Sequence, residues 1–289
     1  MPRDVARDAL YSGRVNLWVE DELTRDYLSA LWDDTGVKFL VGGGHDGVSA
    51  ILKDAEGAGY ANVFGVIDRD FGRSNYDKWS LPGSTSRRFV LPRHEIENYL
   101  LDTPALEGCR FNTRGRTSAE IDAILSAEAQ RRCWWAACCD VVSHIRDRFF
   151  DQFMCHPTTP PVDTEAAARD HITLSEWFRT LPPKSSRMTE PRVHRLLQRA
   201  HHVAQKLLTD GGWRVEFSGK EFVREIGDKI FDRAKAPRSY RPSSSEFDAD
   251  LAKSVATWQV DNNAVPADLI VLLEALKARI AASAPPPRG

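Results

Sequence analysis

No apolar run in the chain approaches the ~20 residues that a membrane-spanning helix needs, so a transmembrane segment is not expected. The start, MPRDVARDAL, is charged and lacks the hydrophobic stretch of a secretory signal, which points to a cytoplasmic protein. Cysteine is scarce. The five present are an odd number, with Cys133, Cys138, Cys139 and Cys155 crowded together and Cys109 apart, so no disulfide framework is expected and a reducing compartment fits. No internal repeat is evident, and no G-x-x-x-x-G-K-[ST] occurs, so the chain has no P-loop of its own. A large excess of one charge is also missing, the formal net charge being −2. That balance conceals an asymmetry: residues 1–112 hold 13 Lys/Arg against 18 Asp/Glu, and residues 113–289 hold 26 against 23. An acidic half beside a mildly basic one suits a metal-binding part joined to a phosphate-contacting part, although ordinary scatter gives the same count.

What is present is the composition of a soluble globular protein, 42% hydrophobic and 28% charged, at a length of 289 residues that allows one large domain or two ordinary ones. Arg14–Glu20 (RVNLWVE) reads as a short buried strand closed by a polar residue. DELTRDYLSALW follows as an amphipathic helix with Leu23, Tyr27, Leu28, Leu31 and Trp32 on one face. VKFLVGGG is a second strand running into glycines, and DGVSAILKDAEGAG is a helix with glycine at its end. NVFGVID is a third strand; after a loop from Arg69 to Arg87, RRFVLP is a fourth, and EIENYLL begins another helix. Strands alternating with helices predict a parallel sheet covered on both faces.

From about Gly108 helical periodicity takes over, in SAEIDAILSAEAQRRCWWAACCDVVSHIRDRFFDQF, EPRVHRLLQRAHHVAQKLL, GKEFVREIGDKIFDRA and DLIVLLEALKARIAA. Pro- and Ser-rich stretches at Thr158–Val162, Leu181–Ser186 and Ala236–Ser245 read as loops, and SAPPPRG as a disordered tail. The expected organisation is therefore an α/β, Rossmann-like domain over 1–107, a mainly α-helical domain over 108–282, and a tail at 283–289.

The chemistry gathers in FGVIDRDFG. Side chains two apart in an extended strand face the same way, so Asp68 and Asp70 project together if the strand persists, with Arg69 turned aside. Ligands of parallel sheets bind at the carboxyl ends of the strands. Glu20 stands at that end of the first strand, and Glu95 and Glu97 follow the fourth, in PRHEIENYL. Crowded carboxylates repel, so one must take up a proton unless a cation sits among them. Mg²⁺ suits such a place, being a hard ion that uses a few carboxylates and keeps its other positions for water and phosphate oxygens. A D-x-D that merely caps a turn is the competing explanation.

Glu20 after the first strand, a glycine turn after the second and D-x-D after the third resemble a TOPRIM domain, the metal-binding fold of topoisomerases, primases and OLD-type nucleases. VEDELTRDYL, VGGGHDGVSAIL, FGVIDRDF and VLPRHEIENYLL are most similar to the stand-alone, OLD-like TOPRIM proteins of the DUF4435 type, over roughly residues 12–103. The resemblance implies Glu20 as metal ligand or general acid/base, Asp68 and Asp70 as metal ligands, and Glu97 as the acidic position after the fourth strand. Glu95 is a further candidate ligand, whereas Glu22 also reads as a first-turn helix acid. His45 stands where such relatives often carry lysine; it can touch a phosphate or be a plain turn residue. Gly42–Gly44 would let the backbone approach a phosphate at the following helix N-terminus, or simply permit the turn. VEFSGKEFVREI resembles a G-K-E/D element of this group, in which Lys220 reaches the scissile phosphate or only forms a salt bridge.

The expectation is thus a Mg²⁺-dependent nuclease, with Mn²⁺ able to substitute, acting on nucleic acid. The resemblance adds a role as effector in bacterial anti-phage defence beside a separate ABC/OLD-type ATPase. Association with a second copy of the chain is left open. Two rival readings stand: a non-catalytic TOPRIM-like module that binds nucleic acid or a partner, and a phosphoryl-transfer enzyme in which Asp68 becomes an aspartyl-phosphate. The cysteines and Cys155–His156 do not show the paired spacing of a zinc site and read as core thiols. Trp134 and Trp135 read as helix packing rather than base-stacking platforms, and His201 and His202 as a solvated helix flank.

Overall fold

Residues 5–33, 36–69, 71, 79, 84–149, 156–157, 162–180, 188–230 and 245–283 are described by a computed structural model of the chain. It opens with α1 (Val5–Leu10), β1 (Val15–Val19), α2 (Glu22–Leu31), β2 (Val37–Val41), α3 (His45–Gly57), β3 (Val63–Ile67) and β4 (Arg88–Val90). A 3₁₀ helix (Ile96–Leu100), α4 (Thr103–Gly108), α5 (Ser118–Arg131), α6 (Cys133–Phe149), α7 (Glu165–Thr173) and α8 (Glu176–Thr180) follow. The remaining helices are α9 (Glu190–Asp210), α10 (Trp213–Glu216), α11 (Gly219–Ile230), α12 (Ser245–Asp261) and α13 (Ala267–Ser283). None of the described helices is long and apolar enough to cross a membrane.

The protein is an α/β structure with a four-stranded, all-parallel sheet in the order β2-β1-β3-β4. Parallel strands in sequence need crossover helices, and α2 and α3 supply them. The apolar runs that mark the strands are there because both faces are covered. One face is a cluster of Val48, Leu52 and Ala55 from α3 with Val63, Ile67 and Val90 from the strands. On the other face Leu17, Val19, Tyr27 and Leu28 are fully buried, and Phe64 lies 6.2 Å from Phe89 between ring centroids. Each fully buried Leu or Phe of this kind contributes about 2–3 kcal/mol.

The chain divides into two compact units, Met1–Ile121 with Gly219–Gly289, and Asp122–Ser218. This differs from a division at residue 108. The C-terminal helices return to the sheet: α12 packs along α2, where Lys253 Nζ lies 3.4 Å from buried Asp26. Buried Gln259 accepts a hydrogen bond from the Tyr27 hydroxyl at 2.6 Å and donates to Asp102 Oδ2 at 2.9 Å. From α13, Asp268 accepts from the Tyr99 hydroxyl at 3.0 Å and pairs with Arg93 at 3.3 Å. The sequence pattern marks α13 as helical but does not single out α12, and nothing in it says which surface either helix covers.

Within the second unit α9 packs on α6, and α7 packs against both. Val193, Leu197, Ala200 and Ala204 form the buried stripe of α9. Cys133, Cys138 and Cys139 are buried free thiols, as is Cys109 in the first unit, and burial pushes the Cys138 thiol up to about 12. Trp135 is buried with its indole donating to the Pro157 carbonyl at 2.7 Å. Trp134 stacks on His201 at 3.7 Å, so His201 is a packed residue rather than part of a solvated flank; His202 is exposed. Cys155 and the tail from residue 284 lie outside the described residues, as do nearly all of the three expected Pro- and Ser-rich loops.

Two elements differ locally from expectation. EIENYLL forms one 3₁₀ turn and stops, because Asp102 caps a new helix, α4, by accepting from the Ala105 amide at 3.3 Å. The single helix expected over SAEIDAIL through FDQF is interrupted at Arg132, whose guanidinium turns back to Glu128 at 2.6 Å. Removing the buried amide that joins α12 to α2 tests the docking of the C-terminal helices. Gln259→Ala is expected to destabilise the fold by about 2–4 kcal/mol, read from the urea midpoint, because it leaves the Tyr27 hydroxyl without this acceptor and opens a void.

Candidate active site at the carboxyl edge of the sheet

The order β2-β1-β3-β4 reverses direction between β1 and β3, since the chain steps one way from β1 to β2 and the other way to β3. The crossovers on either side diverge there and leave a crevice beyond the carboxyl ends of the two strands. Glu20 is the first residue after β1, and Asp68 the first after β3. They meet across the crevice: Glu20 Oε1 accepts a hydrogen bond from the Asp68 amide at 3.0 Å. Both residues are half-buried, and Asp68 Oδ1 is shielded from solvent.

The glycine turn after β2 folds back onto the same point. The Glu20 carbonyl accepts from the amides of Gly43 at 3.1 Å and Gly44 at 2.9 Å. Gly44, at φ 98°, holds a conformation that side chains rarely adopt, and it launches α3 with exposed His45 as its first residue. Glu22 lies exposed in the first turn of α2, and Asp21 caps that helix by accepting from the Thr24 amide at 2.8 Å.

Beyond β3 the chain stays bonded to the segment after β4, with the Arg69 amide donating to the His94 carbonyl at 3.0 Å. Glu95 follows. It forms a capping box with Asn98, whose side chain accepts from the Glu95 amide at 3.0 Å. Glu95 Oε1 also accepts from the Lys220 amide at 2.6 Å, so one carboxylate holds the starts of both the 3₁₀ turn and α11. The contact is possible because residue 219 is glycine. A Cβ there would come within 2.6 Å of the Glu97 carbonyl carbon and closer still to the Asn98 amide. The GKE element therefore reaches the acidic margin, with the Lys220 side chain exposed.

Glu97 is the electrostatic centre of this group. It is 7% exposed. Burial first, and then the neighbouring Glu95 and Asp21 carboxylates, push it from 4.5 up to about 8, against an opposing pull from its backbone hydrogen bond and Lys220. Of the sequence candidates, Glu20 with Asp68, and Glu95 with Glu97 and Lys220, are thus brought together as two sets at the same edge. Asp21, next to Glu20 in the chain, acts on Glu97 and links the sets. Asp70 lies outside the described residues.

The donors are carboxylate oxygens, and one of them is held neutral by its crowded surroundings; that chemistry fits a hard divalent cation. Among the described residues no three His, Cys, Asp or Glu side chains form a ready-made metal cage. Sequence reasoning missed Asn98, the narrow place at Gly219, and Asp248, whose carboxyl is raised by burial while Lys220 and Arg224 pull it down. The S-G-K-E string and the E-x-x-N spacing of a capping box were the available signals for the first two. The fold and this margin define a doubly wound α/β protein with an acidic crevice at its switch point. No protein-family model matches the chain, and no curated protein matches its sequence.

The raised Glu97 makes stability depend on pH. The folded state binds more protons than the unfolded one between 4.5 and about 8, so the stability associated with protonated Glu97 is present below 4.5 and lost as pH rises through about 8. In metal-free buffer Glu97→Gln is expected to be more stable than wild type at pH 8.5, on the order of a few kcal/mol, and to match it near pH 4.5. Urea melts at both pH values check this; an unchanged difference between them rejects a buried, proton-holding Glu97.

Proposed function

We propose that the chain is a TOPRIM-type nuclease that hydrolyses phosphodiester bonds of nucleic acid and uses Mg²⁺, or Mn²⁺ in its place. The observation that supports this reading best is the hydrogen bond that joins the Glu20 carboxylate to the Asp68 amide across the switch point. It brings acids from the ends of adjacent, central strands to one crevice, where ligands of such sheets bind. Mg²⁺ would be held by Glu20, Asp68 and Glu97, with Asp70 from outside the described residues, and would polarise the phosphate and lower the pKa of a bound water.

The chain's own residues have separable tasks in this reading. Glu97, whose carboxyl burial and the Glu95 and Asp21 charges push up to about 8, would release its proton on helping to hold the cation. Glu95 is a positioning residue, because its carboxylate orders the amino end of α11 and so the residue that carries the Lys220 ammonium. Lys220 is exposed beside Glu97 and can hold a phosphate oxygen as a point charge. Arg and Lys side chains elsewhere would grip the backbone with little reading of sequence. A separate ATPase partner and a role in anti-phage defence belong to the same proposal.

One observation favours the second reading, a non-catalytic binding module: Glu20 and Glu95 both spend a carboxylate oxygen on backbone amides. Cleavage of single- and double-stranded DNA and RNA in Mg²⁺ separates the two. Asp68→Ala is expected to lose activity on the order of 100-fold or more while its melting curve holds. Equal cleavage by wild type and variant removes the catalytic assignment, and saturable nucleic-acid binding without cleavage supports the module.

A further inference from the structure

A cleft lies between α3 and the start of β4, toward the amino end of the strands. The helix α3 starts at the glycine turn beside Glu20 and runs back toward the amino end of β3. Its later turns and the segment entering β4 line this open cleft of about 340 Å³, within the size range of small-molecule sites. On the α3 wall Ser49, Leu52, Lys53 and Glu56 share one face through their spacing of three and four residues. Facing them, Arg87 and Arg88 come from the start of the edge strand.

We propose that this cleft binds a compact, phosphate-bearing small molecule of nucleotide size. Three cations, Lys53, Arg87 and Arg88, stand against one carboxylate, Glu56. The guanidinium of Arg87 is fixed by its donation to the Tyr60 carbonyl at 2.6 Å, which aims its remaining donors. The side chains of Lys53 and Arg88 make no hydrogen bond or ion pair among the described residues. Ser49 Oγ is shielded from solvent and likewise has no hydrogen-bond partner there. Leu52, a core residue only 8% exposed, adds a small apolar contact to the lining. A long polyanion fits less well, because the cationic patch is local and the surrounding residues 1–112 carry five more acidic than basic side chains.

Titration of the full chain with ATP in the presence of a chelator, by calorimetry, tests the site without the carboxylate margin taking part. Saturable binding is expected, with inorganic phosphate competing. Lys53→Ala and Arg88→Ala should each weaken it about tenfold, and Glu56→Gln should tighten it, a gain that misfolding cannot produce. Absence of saturable ATP binding, or binding that none of these variants moves, overturns the proposal. So does binding of a short single-stranded oligonucleotide in place of ATP, which would make the cleft a backbone contact. The readout is binding without metal, so failure here leaves the nuclease reading standing, and failure of Asp68→Ala to affect cleavage leaves this one standing.

Discussion

The reversal of strand order between β1 and β3 is the constraint on which the acidic margin depends. Two adjacent parallel strands whose crossovers leave in opposite directions cannot have their carboxyl ends covered by either helix. The backbone there needs partners, and the chain meets that need with side chains: Glu20 serves the Asp68 amide, and the Glu20 carbonyl serves the glycine turn. The geometry that makes the crevice and the geometry that seats the acids are therefore the same.

The acids at this edge are not equivalent. Asp21 and Glu95 are committed to helix starts, each carboxylate accepting from a backbone amide. Glu97 has burial and two neighbouring negative charges acting on it, which favour the neutral form. A buried carboxyl raised by burial and like charge in a crevice is a mark of functional sites. The contrast arises from a few residues of backbone, since Glu95 caps the turn on which Glu97 sits.

The core strands were legible because an apolar, β-branched run closed by a polar residue can hardly be anything else in a sheet covered on both faces. NLWV, KFLV and VFGVI all lie within the observed strands. The edge strand β4 is only Arg88–Val90, shorter than RRFVLP suggests: the Leu91 amide still donates to the Ile67 carbonyl at the end of β3, and Pro92 has no amide to carry the ladder on. Glu20 and Asp68 could be placed at strand ends from sequence, but their hydrogen bond could not. Nor could the return of α11–α13 to the sheet unit: amphipathic stripes specify that a helix is covered, not by what. Gln259, an unremarkable polar residue in sequence, is fully buried for that reason.

The unit Asp122–Ser218 leaves and re-enters the chain between Ile121 and Gly219, both of which belong to the sheet unit. It is topologically an insertion. The re-entry point is the residue whose missing Cβ lets α11 lie against the Glu97–Asn98 backbone. Evolution can thus exchange or remodel the inserted cargo while the acid margin persists, provided the returning segment still begins with glycine. The freedom to diversify and a backbone contact that tolerates no Cβ sit one residue apart.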